Sequence, residues 1–284
     1  MDAIVLIQGM NILYTVLALA LVMMGLAIVM GLLNVLNIVH GEFIMIGAFT
    51  AYAVQAAGWP YILSVPAVFL VCGALGLVVE RLLIRPLRYD PFDTLLATWG
   101  LGLLLRKFVE MFFGRAFRSV QVPLPGSLQI AGHSYPTYRI MIMAISAALL
   151  VSLVIWFRKT RTGSRIRAMV GNPTLAEAVG ISTVALARNT FVAGTILAGF
   201  AGVVIAPLVP IEPQMGITLV VNAFFMIIIG GLGTVVGLIG GATMIGGIQS
   251  AVSAVFDPTT AYLSILALSV LFLWRWPRGI FPRV

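Results

Sequence analysis

The chain carries little charge. Only 9% of its 284 residues are Asp, Glu, Lys or Arg, against about 25% in an ordinary soluble domain. So few ionisable groups cannot cover a surface that faces water on every side, which excludes a soluble globular fold. Lysine is scarcer still, with Lys107 and Lys159 alone. Neither follows a G-x-x-x-x-G run, so there is no phosphate-cradling P-loop and no recognisable ATP site. One cysteine, Cys72, excludes an internal disulfide and reads as a small buried hydrophobe. Two histidines, His40 and His133, leave no metal-spaced cluster. No Ser/His/Asp set or pair of catalytic carboxylates stands out either, so neither enzyme activity nor a metal or other cofactor is expected. The opening Met1-Asp2-Ala3 lacks the basic region of a secretory signal, so the first apolar run is read as retained.

What is abundant is apolar sequence: 61% of residues are hydrophobic and the mean hydropathy is +1.11. Membrane-length runs fall at 4–30, 43–57, 61–79, 94–113, 140–157, 189–209 and 261–274, with a long Gly-rich run from Gly216. Gly230-Gly231 divides that last run into two helices or half-helices. The expected fold is an all-α polytopic membrane protein of about eight or nine transmembrane helices, with broken, Gly-rich core helices, in one domain covering 1–284. The net charge of +8 and pI near 10.3 do not point to nucleic acid, because the cations sit in loops between apolar runs. Twelve of the seventeen fall on one expected side, at Arg81, Arg85 and Arg88, in the 158–188 island, and at Arg275, Arg278 and Arg283. By the positive-inside rule that side is cytoplasmic. The polar stretch 114–139 then lies on the periplasmic side.

Polar residues inside the apolar runs are the candidates for function. Asn34, Asn37, His40 and Glu42 are strung through otherwise apolar sequence, the first three spaced to share one side of a helix. Together with Asn222 they read as lining of a translocation path, or as polar glue between packed helices. Arg106 and Glu110 stand at i, i+4 and are expected to pair, with Lys107 beside them. Gly233, Gly237 and Gly241 form two overlapping G-x-x-x-G pairs, which predict a close helix–helix contact.

The island 158–188 sets six cations against one carboxylate, Glu177. Inside it Asn172 suits an N-cap, Pro173 the first helical position, and Gly180 a left-handed stop. A helix of roughly two turns follows, with Leu175 and Val179 on one face and small Ala176 and Ala178 permitting close approach. It reads as an ordinary cytoplasmic loop or as a docking helix for a partner that supplies energy.

Several of these motifs resemble a known family. Thr162, Gly163, Arg165, Arg167 and Ala168, followed by Ala176-Glu177-Ala178-Val179-Gly180, look like the coupling loop of ABC importer permeases, in the form found in branched-chain amino acid and amide permeases of the LivH type. Gly31, Asn34, Gly41 and Glu42 resemble the segment near that family's second helix. Arg85-Pro86-Leu87-Arg88, the series Ala223, Phe224, Gly230, Gly231, Gly233 and Gly237, and the ending WRWPRGIF extend the likeness along the chain. The wording TLLATWG leans toward the urea and amide branch, whereas Val221-Asn222-Ala223-Phe224 departs from that branch's V-D-A-F. The resemblance implies a permease of the bacterial inner (plasma) membrane importing branched-chain or other amino acids, with urea or short amides as the alternative; an ion-coupled carrier is the reading from outside the family. It implies ABC ATPase subunits that bind the ATP, a second permease subunit, a periplasmic solute-binding protein and surrounding lipid as partners. It also implies that Arg165, Arg167, Asn172, Pro173, Leu175, Ala176, Glu177, Ala178 and Gly180 serve ATPase coupling.

Overall fold

A computed structural model describes residues 2–33, 37–87, 90–130, 132–231 and 235–275. Asn34, Arg88, Gly233, Trp276, Arg278 and Arg283 lie outside the described residues. The chain is a helical bundle. Helices α1 (Asp2–Leu33), α2 (His40–Ala56) and α3 (Ser64–Val79) come first; α3 runs through a π-helical stretch, Glu80–Ile84, into the single turn α4 (Arg85–Leu87). Next are α5 (Pro91–Phe113), a hairpin of β1 (Ser127–Ile130) and β2 (His133–Pro136), and α6 (Thr137–Lys159). Two short helices, α7 (Arg161–Gly171) and α8 (Pro173–Ala178), precede α9 (Thr183–Ile205), α10 (Met215–Gly230), α11 (Val235–Ser253) and α12 (Pro258–Arg275).

The bundle is all-α as expected, and the polar stretch 114–139 forms an excursion that includes two antiparallel strands, its last residues already belonging to α6. Among the described residues four helical segments are long and apolar enough to cross a membrane: Val5–Gly31, Tyr61–Leu87, Thr137–Lys159 and Thr183–Leu208. The others fall short of the expected eight or nine for physical reasons. Helix α2 has 17 residues and α10 has 16, while α5 carries Asp93, Arg106, Lys107 and Glu110 along its length.

Helices α1 and α9 occupy the centre and α6 the periphery, so much of α6 is left to face lipid. The centre is held by small residues rather than by large interlocking ones. A Cβ on Gly47 of α2 would strike the Gly199 carbonyl of α9, and one on Gly202 would strike the Ile44 carbonyl. Lipid tails are as apolar as leucine, so burial of apolar surface does little to join helices here, and close backbone approach takes its place. The break at Gly230-Gly231 is also as expected: Gly231 adopts φ 104°, which ends α10. Helix α11 then folds back on α10, with the Met226 carbonyl lying where a Gly241 Cβ would project and the Gly237 carbonyl where one on Gly230 would. Gly237 and Gly241 therefore lie at a close approach between α10 and α11.

Contacts between side chains fix which ends go together. Arg139, at the start of α6, donates to Asn11 Oδ1 at 3.2 Å and Tyr135 of the hairpin donates to the Met10 carbonyl, so α1 begins at the hairpin end. Its far end meets α7 at the basic end of the bundle. Gln55, near the end of α2, exchanges hydrogen bonds with the Gln121 backbone at 2.7 and 3.3 Å, so α2 finishes at the hairpin end.

Substituting Gly202→Leu forces a side chain into the Ile44 backbone, a strain of at least the ~1–3 kcal/mol typical of overpacking. Thermal denaturation of the purified protein is expected to show marked destabilisation, with Gly9→Leu unchanged because nothing lies within 4 Å of its Cβ position.

Candidate functional site

The polar cluster of the core lies where α1 gives way to α2. Helix α2 begins at His40 and residues 37–39 before it are not helical, so Asn37 and His40 are not aligned along one helix; Asn34 lies outside the described residues. Asn37 sits in the non-helical link and His40 opens α2. Both are fully buried. His40 Nε2 lies 3.3 Å from the Val22 carbonyl of α1. Val22 is about 16 Å along the helix from Asn11 at ~1.5 Å per residue, which is roughly half of a ~30 Å hydrocarbon layer. Helix α2 thus starts deep in the bundle.

Helix α10 starts at the same place and runs the other way. A Cβ on Gly41 would meet the Gly216 carbonyl, and one on Gly216 would come within 2.8 Å of both Glu42 Oε2 and the Gly41 carbonyl. Met226 and Ile227 of α10 belong to the same buried cluster as Met23, Leu26 and Met30 of α1. Two helix N-termini therefore meet in the interior, and each contributes free amides and a positive dipole end. Glu42 lies in the first turn of α2, where that dipole favours its charge.

Glu42 is neutralised by Arg106 of α5. Arg106 donates to Glu42 Oε1 at 2.6 Å, with side-chain exposures of 8% and 3% for the two. This corrects the expected Arg106–Glu110 pair: Glu110 instead accepts from Lys107 at 2.7 Å and Arg115 at 3.2 Å. The reason is depth. Near the hairpin end Glu110 finds solvent-exposed cations, while a carboxylate at the depth of Glu42 needs a cation in reach, which among the described residues is Arg106. Gln214, exposed just ahead of α10, joins the two groups: its Oε1 lies 3.4 Å from Arg106 Nη1 and its Nε2 3.4 Å from Glu110 Oε1.

The cluster keeps spare polar capacity. Both amide atoms of Asn37, His40 Nδ1, Glu42 Oε2 and Arg106 Nε are buried without a hydrogen-bond partner. Buried polar atoms of that kind normally find protein or water partners. Their concentration around one break marks a place suited to receive water or a polar solute. Asn222, by contrast, is half-buried on α10 and contributes no hydrogen bond to this cluster.

The second candidate region is at the basic end. The short helix expected from Asn172 to Gly180 is present in detail. Asn172 Oδ1 accepts from the Leu175 amide at 2.9 Å, Pro173 takes the first turn, and Gly180 has φ 83°. The Gly180 amide donates to the Glu177 carbonyl and the Ile181 amide to the Ala176 carbonyl, a Schellman closure. Ala176 is buried, Ala178 is exposed, and Leu175 and Val179 stand 60% and 69% exposed. Glu177 accepts from the Thr183 hydroxyl, so its carboxylate already has a partner within the chain.

Helix α7, just before it, was not foreseen. Thr160 caps it by accepting from the Gly163 amide, and Gly163, Ile166 and Met169 bury against Phe157 and Leu186. The i, i+3 spacing of Ile166 and Met169 was its available signal, masked by the cations around it. Arg167 donates to the Phe157 carbonyl and to Ser164 Oγ, while Arg165 is exposed. Gln214 was missed as well, because an amide bordering an apolar run has no sequence signature of its own.

A bundle of apolar helices with broken elements meeting at an interior charge pair is the architecture of a membrane transport protein. The described fold resembles a chain of PsaBC from Streptococcus pneumoniae in complex with Fab, with a TM-score of 0.54 at 13% identity, covering 95% of this chain and 92% of that one. Residues 9–274 match the model of a family described as branched-chain amino acid transport system / permease component. The chain belongs to that family. It is 30% identical to the high-affinity branched-chain amino acid transport system permease protein LivH of Escherichia coli (strain K12), over 93% of this chain and 91% of the relative. The corresponding BraD protein of Pseudomonas aeruginosa is 26% identical over the same shares, and a probable LivH of Methanocaldococcus jannaschii 27% over 80% and 75%. The chain is accordingly a multi-pass inner-membrane transport component and not an enzyme.

Breaking the interior pair by Glu42→Gln leaves a buried guanidinium unmatched, which typically costs about 3–5 kcal/mol. Thermal denaturation is expected to place Glu42→Gln below both wild type and the double variant Glu42→Gln/Arg106→Leu, in which no charge remains to be matched.

Proposed function

We propose that this chain is the membrane-spanning permease subunit of an ABC importer for branched-chain or other amino acids, driven by ATPase subunits that bind the ATP. The observation that carries this reading is α8. A six-residue helix capped at both ends, presenting Leu175 and Val179 to solvent at the basic end, has the form of an anchor for another protein. Arg165, exposed beside it on α7, completes a surface that fits an ATPase cleft, while Arg167 and Glu177 hold the two short helices in place.

The helix directions support nine crossings by a single domain over 1–284: α1, α2, α3, α5, α6, α9, α10, α11 and α12, with the N-terminus at the periplasmic face and the basic end in the cytoplasm. Helices α2 and α10 begin at mid-depth. The path passes their meeting point, with Asn37, His40 and Glu42 near its centre and Gln214 and Asn222 on the accessible side of α10; Asn34, outside the described residues, is assigned to it from the sequence alone. A second permease subunit covers that side, and a periplasmic solute-binding protein delivers at the hairpin end. The relatives named for branched-chain amino acids support the amino acid reading, and nothing in them favours urea.

The test is reconstitution into proteoliposomes with the ATPases, partner permease and solute-binding protein. Leucine uptake is expected to require internal ATP and to persist when the proton gradient is collapsed; dependence on the gradient instead would overturn the reading. Leu175→Asp and Val179→Asp are expected to leave the permease folded and to weaken ATPase association about tenfold or more, the equivalent of ~1.4 kcal/mol. Unaltered ATPase affinity in both variants would remove α8 from the coupling contact.

A further inference from the structure

At the hairpin end an open cleft of about 350 Å³ lies between two segments that the interior cluster does not use. One wall is Phe117, Arg118 and Val120, after α5; the other is Pro207, Leu208 and Val209, after α9. The walls are tied by a two-way backbone bridge, the Arg118 amide to the Ile211 carbonyl and the Ile211 amide to the Arg118 carbonyl, each at 2.8 Å. The cleft is therefore built into the fold and does not depend on the posture of a loose loop. Its volume is at the small end of the ~300–1,000 Å³ usual for ligand sites.

Its chemistry is lopsided. Val120 is buried at the base, and proline and aliphatic groups supply most of the remaining lining. The single charge is Arg118. That guanidinium donates to the Phe113 carbonyl at 2.9 Å and lies over the Tyr52 ring at 5.5 Å, which fixes its plane. Among the described residues it has no carboxylate partner, and its Nε is buried with no hydrogen bond. Arg118 lines the cleft, and a positioned, half-buried guanidinium without an anion beside proline and aliphatic side chains matches a carboxylate joined to a short aliphatic group. From the cleft floor the chain passes through Ile211 to Gln214, which reaches Arg106.

We propose that this cleft is an outer binding site for an aliphatic α-amino acid, with the carboxylate on Arg118 and the side chain against Pro207, Leu208 and Val209. The ammonium group faces the open, solvated side. The site receives solute before it meets the interior charge pair. This assignment rests on the amino acid importer reading, and it adds a selectivity step within the permease for the carboxylate and the aliphatic group.

The permease–ATPase complex in nanodiscs, without solute-binding protein, is titrated with radiolabelled leucine, using isovalerate and isoamylamine as competitors. Leucine binds, isovalerate displaces it, and isoamylamine does not. Arg118→Gln weakens binding about 10- to 100-fold, as expected for loss of a hydrogen bond between charged groups, Arg118→Lys recovers part of it, and Leu208→Trp blocks the cleft. The backbone bridge to Ile211 uses no side-chain atom of Arg118, and unchanged ATPase co-purification verifies that the variants assemble. Absence of leucine binding to the wild-type complex, equal competition by isoamylamine, or an unaltered affinity in Arg118→Gln would each overturn the proposal. So would a result in which Arg118→Gln weakens capture of the solute-binding protein while leaving leucine binding alone, since Arg118 would then be a protein contact. Failure of the importer reading is separate: it appears as absence of ATP-driven leucine uptake by the full wild-type system, whatever the cleft binds.

Discussion

Backbone that leaves the helical state inside a membrane has to be enclosed by protein, because no water is there to satisfy its amides and carbonyls. Both α2 and α10 begin in the interior of this bundle, so the rest of the chain is arranged around that constraint. Helices α1 and α9 pack against each other, and α2 packs against α9, with glycines at these contacts letting backbones approach; the starts of α2 and α10 touch through Gly41 and Gly216. A larger residue at such positions would open a gap exactly where enclosure is needed. The lipid-facing helices, α6 among them, tolerate looser and more exposed packing because lipid satisfies an apolar surface as well as protein does.

The Glu42–Arg106 pair follows from the same geometry. An interior helix start offers a dipole that favours an anion, and an anion at that depth needs a cation from another helix. The pair ties α2 to α5, and Gln214 extends the tie to the approach of α10. It holds three separate elements in one register while leaving several polar atoms unfilled. A transport protein benefits from that combination, since a fully satisfied polar core would have nothing to exchange with a solute.

The two ends of the bundle are built for different kinds of contact. At the basic end the helices are short, individually capped and present isolated apolar residues over a cationic surround, which suits a protein partner. At the hairpin end paired backbone holds open a cleft lined by Arg118, prolines and aliphatic side chains, which suits a small solute.

Much of this was legible beforehand. Low charge and long apolar runs forced a membrane bundle, Gly230-Gly231 marked a break, and Asn172-Pro173 with Gly180 bounded α8, because each depends on residues next to one another or on one helical face. Tertiary structure alone decided which charge met which. Arg106 is four residues from Glu110 and far from Glu42 in sequence, yet depth in the bundle, not spacing, selects its partner. The burial of α7, the link at Asn37 and the cleft beside Arg118 have the same origin: each arises where segments distant in sequence converge, and local pattern carries no record of convergence.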